Sequence, residues 1–273
     1  MKRVILVFLL SLGLLLPVRA SDAPKYIALT FDDGPSGRYT DRLLDGLAER
    51  QVHATFFLCG YRVEQYPALT ARIAAEGHEI GSHSDAHSFF NALSTPQLCA
   101  DLAAAEEKLT AAAGQRPTLL RPPGGIFDLE ALRQTSCADL PVILWSVDAQ
   151  DWCRSDSEAI AADIVKQADS GDVILMHDMK DSSVNAALKV IDRLEARGFE
   201  FLTVSELAAL TCTPLAGGRA YYQFSFAKNA SMASRSAATE PWTKAGFPPP
   251  RPLRAAFMAL VKARRSPSGA ATA

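Results

Sequence analysis

The sequence predicts a single α/β domain in which parallel strands close into a barrel of about seven units, followed by a largely irregular basic tail. Short apolar runs alternate with amphipathic helical stretches from residue 25 to residue 211. Strands that alternate with helices are parallel and joined by crossovers, and seven or eight such units fit a barrel better than a short open sheet. Hydrophobic residues make up 48% of the chain, enough for a large core. From residue 213 onward Pro, Ser, Ala and Gly dominate, which is typical of an irregular segment.

The first segment of the chain, residues 1–20, is predicted to be a secretory signal peptide. Lys2 and Arg3 precede an apolar run, and Val18 and Ala20 place small side chains at the positions that a signal peptidase requires. The run is shorter than the ~20 residues that a membrane span needs, although an uncleaved anchor would have the same flanks. We therefore expect an exported protein, periplasmic or extracellular.

The predicted strands and helices follow in order along residues 21–212, which we expect to form the catalytic domain. Strands are predicted over residues 26–31, 54–58, 79–81, 118–120, 142–147, 173–176 and 199–203. Helices are predicted over residues 39–50, 66–76, 95–113, 129–135, 157–169, 184–197 and 204–210. Thr95 followed by Pro96 is typical of a helix N-cap and first helical position. Gly114 stands where that helix should end.

The tail, residues 213–273, has a charge of its own. It holds nine Lys and Arg against one Glu, whereas the whole chain has a net charge of −2, so the body is acidic. Within the tail, residues 252–265 carry apolar side chains at helical spacing beside basic ones, which predicts a short amphipathic helix. Such a segment would contact an anionic envelope surface or the acidic body itself. The alternative is a solvated extension without a partner. No nucleic-acid-binding motif occurs in the chain.

The five cysteines include no CxxC spacing of the kind that holds zinc. Export permits disulfides, and an odd count leaves at least one thiol without an intramolecular partner. The predicted strand between Cys137 and Cys153 separates them by about 20 Å, which is too far for a bond between them. Cys59 and Cys99 both follow strands toward the same end of the barrel, so they are the candidate pair.

Polar side chains follow the predicted strands, and residues in that position meet at one mouth of a parallel barrel. They are Asp32-Asp33, His83-Ser84-Asp85-Ala86-His87, Arg121-Pro122-Pro123-Gly124-Gly125, Asp148 with Asp151-Trp152, and His177-Asp178. The sequence therefore predicts a catalytic site at this mouth.

A metal centre is the chemistry that this set of residues favours. His83 and His87 can face one ion if the segment between them turns helically, and one aspartate completes a set of three ligands. Asp32 and Asp33 point apart on an extended strand, so one can ligate while the other acts as a base. An ion lowers the pKa of a bound water to about 7. His177 can protonate a leaving group, although a hydrogen-bonded core histidine is the alternative.

Five motifs appear in an order that resembles the NodB-type polysaccharide deacetylases, carbohydrate esterase family 4. They are Thr30-Phe31-Asp32-Asp33-Gly34-Pro35, His83-Ser84-Asp85-Ala86-His87, Arg121-Pro122-Pro123-Gly124-Gly125, Asp148-Ala149-Gln150-Asp151-Trp152 and Leu175-Met176-His177. The resemblance covers residues 25–211 and implies that the barrel is the deformed one of the NodB homology domain.

The resemblance also implies a role for each residue of the site. The catalytic set would be Asp32 as the base, Arg121 holding it ionised, His177 as the acid and Asp151 pairing with the ring of His177. The metal ligands would be Asp33, His83 and His87, and the substrate-binding residues Pro123, Gly124, Trp152 and Leu175. Many family members carry an aromatic residue where this chain has Gly124, which alters the wall of the substrate groove but keeps the backbone N–H.

The implied activity is metal-dependent removal of N-acetyl groups from an N-acetylglucosamine-containing polysaccharide (peptidoglycan, chitin or chitooligosaccharide). Two nitrogens and one oxygen suit Zn²⁺, and Co²⁺ or Ni²⁺ can occupy the same ligands. The alternatives are an O-acetyl esterase on a polymer such as acetylxylan, and a non-catalytic sugar-binding module. The complete set of acid, base and ligand residues speaks against the module.

Overall fold

The computed structural model describes residues 24–135 and 137–226. The predicted signal peptide and the predicted tail helix over residues 252–265 lie outside these ranges. Within them, no helix combines the length and the apolar character that crossing a membrane requires.

Eight strands and eight helices alternate through the described ranges. The strands are β1 Lys25–Asp32, β2 Thr55–Leu58, β3 Glu79–Ser82, β4 Val142–Ile143, β5 Val147–Asp148, β6 Val173–His177, β7 Phe199–Leu202 and β8 Ala220–Tyr221. The helices are α1 Arg38–Arg50, α2 Gly60–Gln65, α3 Pro67–Ala75, α4 Thr95–Ala113, α5 Leu129–Arg133, α6 Ser157–Gln167, α7 Asp181–Glu195 and α8 Val204–Leu210. Short 3₁₀ turns lie at Phe90–Ala92, Pro123–Gly125 and Asp151–Cys153.

Strand β1 is the centre of a parallel sheet with the order β3-β2-β1-β6-β5. Its C-terminal part, from Thr30 to Asp32, pairs with β2, and its N-terminal part, from Lys25 to Ala28, pairs with β7. Alternate residues of β1 pack into two different hydrophobic clusters, as expected for a strand buried on both faces. Ile27 packs in one hydrophobic cluster, and Ala28 packs in another.

The ring of strands closes irregularly, which confirms a deformed barrel. Leu120 continues the sheet beyond β3 through single bridges to Ser82 and Val142, so the predicted strand 118–120 is reduced to one residue. The predicted strand 142–147 is split into β4 and β5. The physical reason is that this segment contacts Leu120 and β8 at one end but β6 at the other, so no single neighbour spans it.

Two predicted boundaries need correction. Helix α4 is capped by Ser94 rather than Thr95, because Ser94 and Gln97 form a capping box, and it ends at Gly114 in the left-handed conformation as expected. The packed domain extends beyond the predicted limit at residue 212. Strand β8 pairs with β4, and Phe224 is buried against the core.

The predicted disulfide between Cys59 and Cys99 is wrong. Cys99 is bonded to Cys137, and their Cα atoms are 5.3 Å apart. The prediction failed because Cys99 lies inside helix α4 on the outside of the barrel, whereas Cys59 is buried at the end of β2. The expectation that Cys137 does not pair with Cys153 is confirmed, since Cys153 is free.

Candidate active site

The residues predicted to meet at one mouth of the barrel do so. Asp32 ends β1, and His177 ends the neighbouring strand β6, paired with it in register. His83 follows β3, and Arg121 follows the bridge residue Leu120. Asp151 lies in the 3₁₀ turn after β5 and is fully buried. The C-terminal ends of the strands therefore gather the polar groups in one place.

Three of these side chains form a cluster suited to a metal ion. Asp33 Oδ1 lies 3.0 Å from His87 Nε2 and 3.3 Å from His83 Nε2. The three prospective ligand atoms all lie within 4.8 Å of one another. Asp33 adopts a left-handed conformation, with φ of 71°, and its carboxylate lies on the same side as that of Asp32, which is 3.6 Å from His83 Nε2.

The segment that carries the two histidines is not helical, although the sequence predicted that a helical turn would bring them together. Ser84 and His87 both have positive φ, and the His87 N–H donates to Ser84 Oγ at 2.9 Å. The carboxylate of Asp101, on helix α4, accepts from the N–H groups of Asp85 and Ala86. A tight loop tied to α4 therefore brings the two rings together, with their centroids 5.1 Å apart.

The hydrogen-bonding state of these groups is compatible with a bound metal cation. His83 Nδ1 lies 2.7 Å from the carbonyl oxygen of Arg121, which can only accept, so Nδ1 carries the proton. The lone pair of His83 Nε2 then faces the carboxylates of Asp32 and Asp33. Asp33 Oδ1 is buried and receives no hydrogen bond. A divalent cation satisfies all these acceptors at once.

The carboxylate of Asp32 is held by the buried guanidinium of Arg121. Arg121 Nη1 donates to Asp32 Oδ1 at 2.7 Å, and both side chains are almost completely buried. The same nitrogen donates to Thr30 Oγ1, and the other guanidinium nitrogens donate to the carbonyls of Ile143 and Leu144. Asp32 Oδ2 remains on the side of the histidines, 3.6 Å from His83 Nε2.

His177 is paired with another carboxylate, that of Asp151. Its Nδ1 lies 2.8 Å from Asp151 Oδ1, and its backbone N–H donates to Asp151 Oδ2 at 3.0 Å. Its Nε2 therefore points toward the cluster, 3.9 Å from Asp33 Oδ2. Burial lowers the pKa of His177, but Asp151, with Asp32 and Asp33, outweighs it and raises the pKa to about 9. This environment favours the imidazolium form of His177, with a proton on each ring nitrogen.

The four residues expected to bind substrate differ in exposure. Pro123 and Leu175 are buried, whereas Gly124 is exposed and Trp152 is 65% exposed. The Gly125 N–H donates to the carbonyl of Pro122 at 2.9 Å. Among the described residues, the N–H of Gly124 has no hydrogen-bond acceptor.

Sequence reasoning gave no role to Asp178, the residue after His177. Its carboxylate is fully buried, and it accepts a hydrogen bond from the hydroxyl of Thr40. A Cβ on Gly34 would lie 2.7 Å from Asp178 Oδ1, so only glycine fits beside it. Burial raises the pKa of Asp178 to about 6. Asp178 thus supports the loop that follows Asp33, and the glycine in that loop was the available signal.

Comparison with known proteins gives consistent matches. Residues 19–143 match the family model described as polysaccharide deacetylase. The chain is 38% identical over 188 residues to a peptidoglycan-N-acetylglucosamine deacetylase of Bacillus cereus, which covers 67% of this chain and 88% of that protein. It is 40% identical over 184 residues to the peptidoglycan-N-acetylmuramic acid deacetylase PdaC of Bacillus subtilis, covering 67% of this chain but only 38% of that protein.

A solved structure extends the match to the fold. It is a family 4 acetyl xylan esterase from Clostridium thermocellum in complex with a cobalt ion. The two chains superpose with a TM-score of 0.68 at 33% identity, over 73% of this chain and 98% of that one.

Proposed function

The chain belongs to the polysaccharide deacetylase family, and on that premise we propose that it is a metal-dependent hydrolase that removes N-acetyl groups from an N-acetylglucosamine-containing polysaccharide (peptidoglycan, chitin or chitooligosaccharide). One observation carries the proposal. The prospective ligand atoms of Asp33, His83 and His87 converge within 4.8 Å, beside the carboxylate of Asp32 and the imidazole of His177.

Asp33, His83 and His87 would hold a divalent cation, with Zn²⁺ the best match to two nitrogens and one oxygen and Co²⁺ or Ni²⁺ also suited. When bound, such a cation lowers the pKa of water and polarises the acetyl carbonyl. Three protein ligands leave coordination positions open for water and substrate.

Asp32 is suited to accept the proton of the attacking water. Its Oδ1 accepts a hydrogen bond from Arg121, and its Oδ2 lies on the ligand side. Arg121 is a positioning residue in this role, because it acts through Asp32.

His177 is suited to donate a proton to the leaving group. Its Nδ1 is engaged by Asp151, so the proton available to substrate is the one on Nε2. As the carbonyl carbon gains an oxygen from water and loses the amide nitrogen, His177 protonates that nitrogen. The products are acetate and a free amine on the sugar.

The substrate side of the site is consistent with a small acyl group. The N–H of Gly124 is available to the carbonyl oxygen as negative charge develops there. Leu175 and Pro123 would form the floor of the acetyl pocket, and the exposed Trp152 its rim. An envelope polymer is reached by an exported enzyme, and the predicted cleavage after Ala20 supports a periplasmic or extracellular location.

Ester hydrolysis is the second candidate function. The structural similarity to an acetyl xylan esterase supports it, because the same acid, base and ligand groups would release acetate from an oxygen. A non-catalytic sugar-binding module is disfavoured, since it would need neither the paired His177 nor the paired Asp32.

The test is acetate release by the metal-loaded protein from three substrates: chitooligosaccharides, peptidoglycan fragments and acetylated xylan. We expect acetate from at least one of the two N-acetylated substrates. Acetate from xylan alone would replace the proposal with the esterase, and no acetate from any substrate would refute both.

A further inference from the structure

Exposed apolar side chains lie on the loops that form the candidate site. Five large hydrophobic side chains of the described residues are exposed: Phe89, Ile126, Trp152, Tyr222 and Phe226. The first three come from loops that carry the site, since they follow closely after His87, Gly124 and Asp151. Single exposed hydrophobic residues are normal on a protein surface, but a group at one mouth is a sign of a binding surface.

The Phe89 ring lies against the exposed turn at Gly124. A Cβ on Gly124 would lie 3.0 Å from Phe89 Cε1 and 3.7 Å from Ile126 Cδ1. Gly124 has φ of 60°, which disfavours any side chain there. The Phe89 ring thus occupies the space beside Gly124, whose N–H is the donor assigned above to the acyl oxygen.

The backbone of Phe89 is anchored although the residue is 47% exposed. The next residue, Phe90, is buried in a hydrophobic cluster with Leu98 and Leu120. The Ala92 N–H donates to the carbonyl of Phe89 at 3.0 Å. An aromatic ring that is fixed before binding loses little conformational entropy when it meets a ligand.

We propose that Phe89 determines substrate specificity by stacking on the apolar face of a pyranose ring in the polymer, next to the unit that loses its acetyl group. This inference rests on the proposed function and adds a sugar subsite to it. A pyranose presents a face of C–H groups that a flat aromatic ring covers well. Ile126 extends the surface on the other side of Gly124. The contact lies outside the reacting acetyl group, so it acts mainly on the affinity for oligomers.

The test compares Phe89→Ala and Phe89→Tyr with the wild type on the N-acetylglucosamine hexamer and on an aryl acetate. We expect Phe89→Ala to raise KM for the hexamer about tenfold with kcat largely retained. An effect of this size is typical of removing an important contact residue. The ratio of kcat/KM for hexamer to that for aryl acetate should fall by the same factor, and Phe89→Tyr should restore it. Wild-type KM in Phe89→Ala, or equal losses on both substrates, would overturn the inference.

Tyr222→Ala is the matched control, because Tyr222 is also an exposed aromatic residue at 53%. It lies beside Gln223, which bridges to Asp172 just before β6, at the opposite end of that strand from His177. Calorimetric binding of the hexamer gives the same comparison without turnover, with Kd expected to rise about tenfold in Phe89→Ala. A wild type that binds the hexamer but releases no acetate from any substrate would refute the proposed function alone. Equal Kd values for wild type and Phe89→Ala would refute the stacking role alone.

Discussion

Replacing Arg121 by methionine removes the guanidinium that lies between the core and the candidate base. That group is fully buried and donates to the carboxylate of Asp32, the hydroxyl of Thr30 and the carbonyls of Ile143 and Leu144. Methionine fills much of the same volume, so loss of packing is a minor part of the effect. The main effect is a buried carboxylate without its cation.

The expected cost follows from this burial. Removing one partner of a buried ion pair destabilises a protein by about 3–5 kcal/mol. This is a large fraction of the roughly 5–15 kcal/mol that holds a typical domain folded. The measurement is denaturant unfolding of metal-free wild type and Arg121→Met, with circular dichroism as the readout.

A double-mutant cycle separates the pair from other effects. Asp32→Asn removes the carboxylate charge, so Arg121→Met should cost less in that background, by about 1–3 kcal/mol. A cost below about 1 kcal/mol for Arg121→Met alone, or strictly additive costs in the cycle, would refute the reasoning.

Two further predictions concern the histidines and the base. Asp32→Asn should abolish acetate release while the protein still binds one metal ion, and His177→Ala should keep the metal but slow acetate release by about 10²–10⁴-fold. Loss of the metal from Asp32→Asn, measured by elemental analysis, would mean that the two aspartates exchange roles. His78 is buried and accepts a hydrogen bond from the Ala54 N–H, and burial lowers its pKa to about 3. Because the folded-state pKa lies below the ordinary value, neutral His78 stabilises the fold fully above about pH 6.5, and this stability is lost as the pH falls toward 3. Between pH 7 and pH 5 the unfolding free energy of the wild type should fall by about 2 kcal/mol more than that of His78→Asn, which keeps an acceptor but does not titrate. Parallel pH profiles for the two proteins would show that His78 is not buried as a neutral group.

The position of the site could be predicted because it needs only the ends of the strands. Asp32, His83, Arg121 and His177 each follow an apolar run, and the ends of parallel strands meet whatever the details of pairing. The expectation that the two aspartates point apart is wrong, because it assumed that both lie on an extended strand. Strand β1 ends at Asp32, Asp33 has a left-handed backbone, and both carboxylates lie within 3.6 Å of His83 Nε2.

What the sequence left open depends on contacts between distant segments. Residues 142–147 read as one continuous strand, yet their pairing changes from Leu120 and β8 to β6 along the segment. The bond between Cys99 and Cys137 depends on how helix α4 lies against the loop before β4. Phe89 gains its significance only from its contact with Gly124. No local pattern carries this information.

The metal dependence of acetate release tests the central claim most directly. The protein is stripped with a chelator and titrated with Co²⁺, and acetate release from a chitooligosaccharide is followed together with the visible absorption of the ion. We predict no acetate from the stripped protein, recovery in proportion to bound Co²⁺ up to one ion per chain, and loss of both signals in His83→Ala. Full acetate release by metal-free protein would contradict the account.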